Sequence, residues 1–339
     1  MRFLPRLTIW LASLPLALVS VRAADPAPAT ARPIPVVLAT DIGDDIDDTW
    51  ALVHALRSPE LDVKLVLTEY GAPRYRAALT AKLLQSAGRT DVAVGVGVGT
   101  TSPDDEKRNQ VPWVDDYDPA KYPGTVHADG VKALLELVER SEQPVTVIAV
   151  GPTPSLAEAV RRNPEFARKC RLVGMYGSFD SGYEPGSAPS AEWNVKADVP
   201  SLRQVLQAPW REVLLTPLDT CGRITLSGDR YRRLWQAATT DPAVRAVIEN
   251  YCLWAARVSW MNCDFFVTRS TTLFDDVAVY LAYSEGLVEV ETVRFTLTDD
   301  GFTRRDAEGP FQARVALRWR DRDGFEAHLA SRVLGEARR

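Results

Sequence analysis

Five aspartates, Asp41, Asp44, Asp45, Asp47 and Asp48, fall within eight positions directly after the apolar run 34–40. Carboxylates crowded this closely repel one another, and without a cation one or more of them would hold a proton. Their hard oxygens suit Ca²⁺ or Mg²⁺, and Ca²⁺ accepts roughly six to eight oxygens, backbone carbonyls included. The spacing is not that of an EF-hand, and a strand rather than a helix leads in. The plainer alternative is an acidic, solvated helix start: Asp47 or Asp48 stands where an N-cap belongs, ahead of Trp50, Leu52, Val53 and Leu56 at helical spacing. Five acids behind a buried strand favour the cage over the cap.

Two further groups could join that chemistry. Asp275 and Asp276 open the apolar run "VAVYLA", a place where the helix dipole alone would favour acids. Glu192, Trp193 and Asn194 put a carboxylate, an indole and an amide side by side, a set that could bind a polyol. Zinc is not indicated, because Cys170, Cys221, Cys252 and Cys263 form no CxxC pair. Cys252 and Cys263 are the nearest pair, and buried free thiols are the alternative to a disulfide. Of the three histidines, His54 reads as structural on a helix, His127 as the start of a helix after a long loop, and His328 as a surface residue of the tail.

The elements that must position these residues alternate. Strand-length apolar runs at 34–40, 61–70, 91–99, 145–150, 171–177 and 211–218 are separated by helix-like segments at 47–58, 74–88, 127–141, 154–170 and 198–209. Continuous apolar strands in βαβ order imply an α/β fold: a mostly parallel central sheet with helices on both faces. Ligands of such sheets bind at the carboxyl ends of the strands. The aspartate cluster lies at that end of the first strand, and "VGPTP", "GSFDSG" and "DTCG" follow later strands, so these loops should converge. The tail, 288–319, reads as β-hairpin material and closes with a helix near 323–337, an appendage on the same domain.

The chain has 339 residues and a net charge of −5. Residues 1–23 carry Arg2 and Arg6, an apolar stretch, and Val21 and Ala23 at signal-peptidase spacing, so a secretory leader cut after Ala23 or Ala24 is expected. The apolar core is short for a membrane anchor. Residues 24–33 read as a Pro- and Ala-rich linker, and 34–339 as one domain. Cleavage would remove three arginines and no acid, taking the charge to −8. An acidic, exported chain, secreted or periplasmic, argues against a nucleic-acid partner and suits small neutral substrates or cations.

Taken in chain order, these stretches resemble the inosine–uridine nucleoside hydrolase family. The resemblance runs from about Pro35 to the last helix through "VVLATDIGDDIDDTWAL", "LTEYGAPRYRAALTAKLLQSAG", "VTVIAVGPTPSLAEAV", "AEWN", "TPLDTCG" and "LFDDVAVYLA". It implies a Ca²⁺ held by Asp41, Asp48, the carbonyl of Val150 and Asp275, with Asp45 as a competing ligand. It also implies Asp41 as the base that takes a proton from the attacking water, and Asp47, Glu192 and Asn194 as ribose contacts, with Trp193 against the bound ligand. The attacked carbon would gain oxocarbenium character, stabilised by the acidic floor. A dimer or tetramer is the family's usual state.

Three departures qualify this. Ala39 stands where the common loop has another aspartate, Ala72 where a ribose-binding Asn falls, and Phe274 where many members have the His that protonates the leaving base. The first loop is also two residues longer, which leaves Asp44 and Asp45 as extras. Leaving-group activation would then come from a carboxylic acid or solvent; the aromatics Trp254, Trp260, Phe265 and Phe266 read as core more readily than as a binding wall, and Trp193 is the better candidate for contact with the ligand. The competing readings are a protein of the same fold that binds a sugar or nucleoside without turning it over, and a phosphatase-type enzyme using Asp41 as nucleophile.

Overall fold

The computed structural model describes residues 32–100, 108–258 and 268–336. The expected leader, most of the expected linker, Cys263, and the aromatics Trp260, Phe265 and Phe266 beside Asp264 lie outside the described residues.

Seven strands follow the expected alternation: β1 (Ile34–Thr40), β2 (Leu61–Thr68), β3 (Ala93–Val96), β4 (Val126–His127), β5 (Val145–Ala149), β6 (Cys170–Met175) and β7 (Glu212–Thr216). Between and after them lie α1 (Asp47–Leu56), α2 (Pro73–Ser86), the short α3 (Val111–Val114), α4 (Gly130–Arg140), α5 (Pro154–Arg162), α6 (Trp193–Ala197), α7 (Val199–Gln207), α8 (Gly228–Ala237), α9 (Pro242–Ala255) and α10 (Asp275–Leu281). The tail adds β8 (Val288–Leu297), β9 (Thr303–Arg305), β10 (Phe311–Trp319) and α11 (Arg322–Val333). The ten strands form one sheet in the order β4-β3-β2-β1-β5-β6-β7-β10-β8-β9.

The sheet is buried on both faces, which explains why its inner strands read as unbroken apolar runs. Successive side chains of β1 go to opposite sides. Val36 and Leu38 join the core with α1, α2, α9, α10 and α11, while Val37 and Ala39 join the core with α4, α5 and α7. β1 pairs in parallel with β2 on one side and β5 on the other. From β1 the chain builds outward through β2, β3 and β4, then returns to start again at β5. The loops after β1 and β5 therefore diverge and leave a crevice between them, the place where open α/β sheets hold ligands.

The tail is an antiparallel hairpin with a closing helix, yet it is not an appendage. β10 pairs antiparallel with β8 and also parallel with β7, through Arg314–Leu214 and Val315–Leu215, so it extends the central sheet. Phe325, Leu329 and Val333 of α11 enter the same core as α1. Two helix boundaries also differ from expectation. His127 does not start a helix; it lies in edge strand β4, and α4 begins at Gly130 because Asp129 accepts the Lys132 N–H at 2.9 Å as its N-cap. The 154–170 segment breaks at Asn163, whose extended backbone is what a following proline imposes.

Candidate functional site

The loop after β1 turns at Gly43, whose φ of 107° lies in the region open mainly to glycine. The Tyr75 hydroxyl donates to the Gly43 carbonyl at 3.1 Å, and the Asn109 side chain donates to the Asp44 carbonyl at 2.9 Å. A buried guanidinium fastens the start of the loop. Arg76 donates to the carbonyls of Asp41, Ile42 (3.1 Å) and Tyr70 (2.9 Å). Tyr70 holds a non-glycine φ of 60°, a strained conformation that this contact helps to maintain.

Asp47 and Asp48 are not N-caps. Ile46 occupies that position without a side-chain cap bond, and the two aspartates form the first turn of α1. Asp275 and Asp276 likewise form the first turn of α10, after Phe274. Two helix N-termini, each favourable to negative charge, thus face one another. Carboxylate oxygens of Asp47, Asp48 and Asp275 all lie within 4.8 Å of one another, and all three residues are buried. The Thr40 hydroxyl donates to Asp48, and the Asp275 N–H donates to Asp47 at 3.3 Å. Burial above all, and then mutual repulsion, push these three carboxyls well above the ordinary aspartate range.

Asp41 is not part of that group of three, but it is buried and lines the same cavity. Burial raises its carboxyl while Arg76 works against the rise. Gly151, after β5, is a close neighbour: a Cβ there would come within 2.5 Å of the Asp41 carboxylate. The cavity measures about 510 Å³ and is lined by all nine residues singled out in the sequence: Asp41, Asp45, Asp47, Asp48, Val150, Glu192, Trp193, Asn194 and Asp275. Asp45 is engaged locally, accepting the Ile46 N–H at 2.7 Å.

Glu192 and Asn194 carry structural bonds that their spacing did not reveal. Glu192 caps α6, accepting the N–H groups of Asn194 at 2.7 Å, Val195 at 3.2 Å and Gly177 at 3.1 Å. Burial outweighs those bonds and pushes its carboxyl up to about 7. The Asn194 side chain donates to the carbonyls of Val150 at 3.0 Å and Met175 at 3.2 Å, tying the loops after β5 and β6 together.

The cavity's remaining lining is Asp44 and Phe274, both marked in the sequence, and Met175, Tyr183, Glu184 and Thr272, which were not. Tyr183 sits in the Gly/Ser/Pro-rich loop after β6, where no periodicity marks a residue's direction. Arg223, in the loop after β7, holds that segment through Ser181 and the carbonyls of Gly182 and Tyr183, both at 2.8 Å. Of the histidines, none lines the cavity. His54 is fully buried, its ring bridging Asp276 and Tyr283 at 3.0 Å each. His328 is not a surface residue; it is half-buried and bonded to the Tyr283 hydroxyl at 2.7 Å. Cys170 and Cys221 are buried free thiols, and Cys252 has no disulfide partner among the described residues. No helix among the described residues is long and apolar enough to cross a membrane.

Fold and cavity together define an α/β protein with a small-molecule site at the carboxyl edge of a parallel sheet, floored by carboxylates. Known proteins narrow this further. The family described as inosine-uridine preferring nucleoside hydrolase matches residues 36–327. A probable uridine nucleosidase 2 of Arabidopsis thaliana is 26% identical over 276 residues, covering 77% of this chain and 83% of its own. A pyrimidine-specific ribonucleoside hydrolase, RihA of Citrobacter koseri, is 29% identical over 224 residues, covering 64% and 69%. A solved plant nucleoside hydrolase superposes with a TM-score of 0.71 at 20% identity over 89% of this chain and 99% of its own, a likeness of fold. The chain belongs to the inosine-uridine preferring nucleoside hydrolase family and is a hydrolase of N-glycosyl compounds.

Proposed function

We propose that this chain hydrolyses the N-glycosidic bond of a ribonucleoside or related ribosyl compound, with Ca²⁺ as its resident cation. The observation that carries the reading is the meeting of three buried carboxylates within 4.8 Å on the floor of a cavity also lined by Asp41 and Val150. Such a floor is costly unless a hard cation neutralises it, and its donors are all oxygens. Asp48, Asp275, the Val150 carbonyl and Asp41 would hold the ion, with Asp47 beside them. When bound there, the cation would lower the pKa of a water and orient the sugar hydroxyls.

The chain's own residues do the rest. Asp41, close against Gly151 and held by Arg76 at its carbonyl, takes the proton of the water that attacks the anomeric carbon. Asp47 accepts from the ribose hydroxyls, and Asn194 and Glu192 shape the wall opposite. Charge that develops on the sugar is stabilised by the carboxylate floor. The leader expected from the sequence and the acidic remainder of the chain support action outside the cytoplasm.

The test is a panel of purine and pyrimidine ribonucleosides incubated with the purified protein, with Ca²⁺ or with chelator, reading reducing sugar. Release that chelator stops and that Asp41→Asn abolishes is expected. Chelator-insensitive release would remove the cation from the reading, and no release from any nucleoside would leave a binding protein of the same fold.

A further inference from the structure

Breaking an N-glycosidic bond sends its electron pair onto the departing nitrogen heterocycle, which leaves poorly unless something bonds to it as charge builds up. In this reading the floor carboxyls serve the sugar and the cation, and Asp45 accepts the Ile46 N–H. Among the described residues lining the cavity there is no His, Lys, Arg or Cys. Glu192 already receives three backbone N–H groups, as a carboxylate would. Glu184 is exposed. The uncharged hydroxyls that remain are those of Tyr183 and Thr272. A phenol is the stronger donor of the two.

Tyr183 is also the one whose direction is fixed. Its oxygen accepts the Trp193 N–H at 2.8 Å, so its own proton must point away from that amide. Accepting one hydrogen bond strengthens the donation of the next. Its ring stands edge-on to Phe274, with centroids 6.1 Å apart and planes at 82°. Arg223 holds the backbone behind it at the Tyr183 carbonyl. Met175, Trp193 and Phe274 supply the neighbouring apolar surface on which a flat ring can lie.

We propose that Tyr183 is the leaving-group donor: its hydroxyl hydrogen-bonds to the departing heterocycle, whose other face rests on Phe274 and Trp193. The proposal rests on the hydrolase reading above. In the step, a bond forms between the water oxygen and the anomeric carbon while the carbon–nitrogen bond breaks. The water's proton goes to Asp41. The electron pair stays on the heterocycle, which is stabilised by the Tyr183 O–H and finally takes a proton from solvent. A phenol titrates near about 10 and the surroundings of Tyr183 raise it further, so its hydroxyl stays a donor across neutral and mildly alkaline pH.

Tyr183→Phe keeps the ring and removes the donor. The readout compares a nucleoside, whose leaving group needs help, with p-nitrophenyl β-D-ribofuranoside, whose nitrophenolate departs unaided. Loss of a leaving-group donor predicts that kcat on the nucleoside falls roughly 100-fold, while kcat on the nitrophenyl riboside changes less than about 3-fold. Activity on the riboside at an unchanged melting temperature shows that the variant is folded and its floor intact. An equal loss on both substrates, or full activity on the nucleoside, overturns the role of Tyr183 and leaves the hydrolase reading standing. A wild-type protein that cleaves the riboside but no nucleoside also overturns it. A wild-type protein inactive on both overturns the hydrolase reading and this role with it.

Discussion

Replacing Asp275 by asparagine should have effects of opposite sign with and without calcium. In cation-free protein at pH 7.5, the Asp275 carboxyl lies within 4.8 Å of those of Asp47 and Asp48. Two unit charges at that distance repel by about 3 kcal/mol at an effective dielectric near 20. The group relieves part of this by holding protons, which is why its carboxyls rise so far. Removing one charge should therefore recover about 1–3 kcal/mol, and the bond from the Asp275 backbone N–H to the Asp47 carboxylate survives the change because the side chain of residue 275 takes no part in it. At the usual unfolding entropy per residue, that raises the melting temperature by roughly 2–5 °C in a domain of this size. With calcium the order reverses. A ligand at about 1,000 times its dissociation constant stabilises the native state by about 4.1 kcal/mol, and the Asp275→Asn variant forfeits most of that by supplying a neutral oxygen in place of a charged one, more than the roughly 1–3 kcal/mol it regains from relieved repulsion. Thermal unfolding of both proteins, in chelator and in calcium, is the assay. The reasoning is refuted if Asp275→Asn lowers the melting temperature by the same amount in both buffers, since the residue would then matter for packing and not for charge.

Glu192 gives a pH prediction. Its carboxyl is raised from 4.5 to about 7 in the folded chain, so its stability contribution is full below about 4.5 and is lost as pH rises through 7, about 3 kcal/mol in all. Glu192→Gln should flatten the fall in melting temperature between pH 5 and 8, and an unchanged slope would count against burial as the cause. Gly151→Ala places a methyl 2.5 Å from the Asp41 carboxylate, so kcat should fall at least about 10-fold while the protein still folds and melts cooperatively. His54→Leu strips Asp276 of its bonded partner inside the core and should cost about 2–4 kcal/mol in a denaturant titration; a cost below about 1 kcal/mol would show that the pair carries little.

What could be read in advance divides by physical cause. β1 and β5 were legible because both faces are covered, which leaves an unbroken apolar run that ends where the chain reaches the ligand edge. The floor was legible because a hard cation demands oxygens, and only acids crowd oxygens so densely. Arg76 was not, because on an amphipathic helix an arginine reads as solvated; here its guanidinium turns in to the carbonyls of Tyr70, Asp41 and Ile42. Tyr183 was not, because a loop has no period and its direction is set by Arg223 and Trp193, neither of them its neighbour in sequence. Nor was the place of β10 beside β7, since a strand's own residues do not name its neighbour.

The two acid pairs show where local pattern stops and packing takes over. Asp47-Asp48 and Asp275-Asp276 have the same form, two aspartates opening an apolar helix, and each alone is an ordinary acidic first turn. The group of three forms only because packing brings the first turns of α1 and α10 together. The fourth aspartate adds a second polar link to the bond from the Asp275 N–H to Asp47. Asp276 turns away from the cavity to His54, two helical turns along α1 from Asp47, and His54 passes the contact on to Tyr283 just beyond α10. Three of the four acids line the cavity, and the spare acid of α10 is bonded across the interface between the two helices. Repulsion on the floor is tolerated because the register of the two helices is fixed beneath it by a polar contact that neither helix contains by itself.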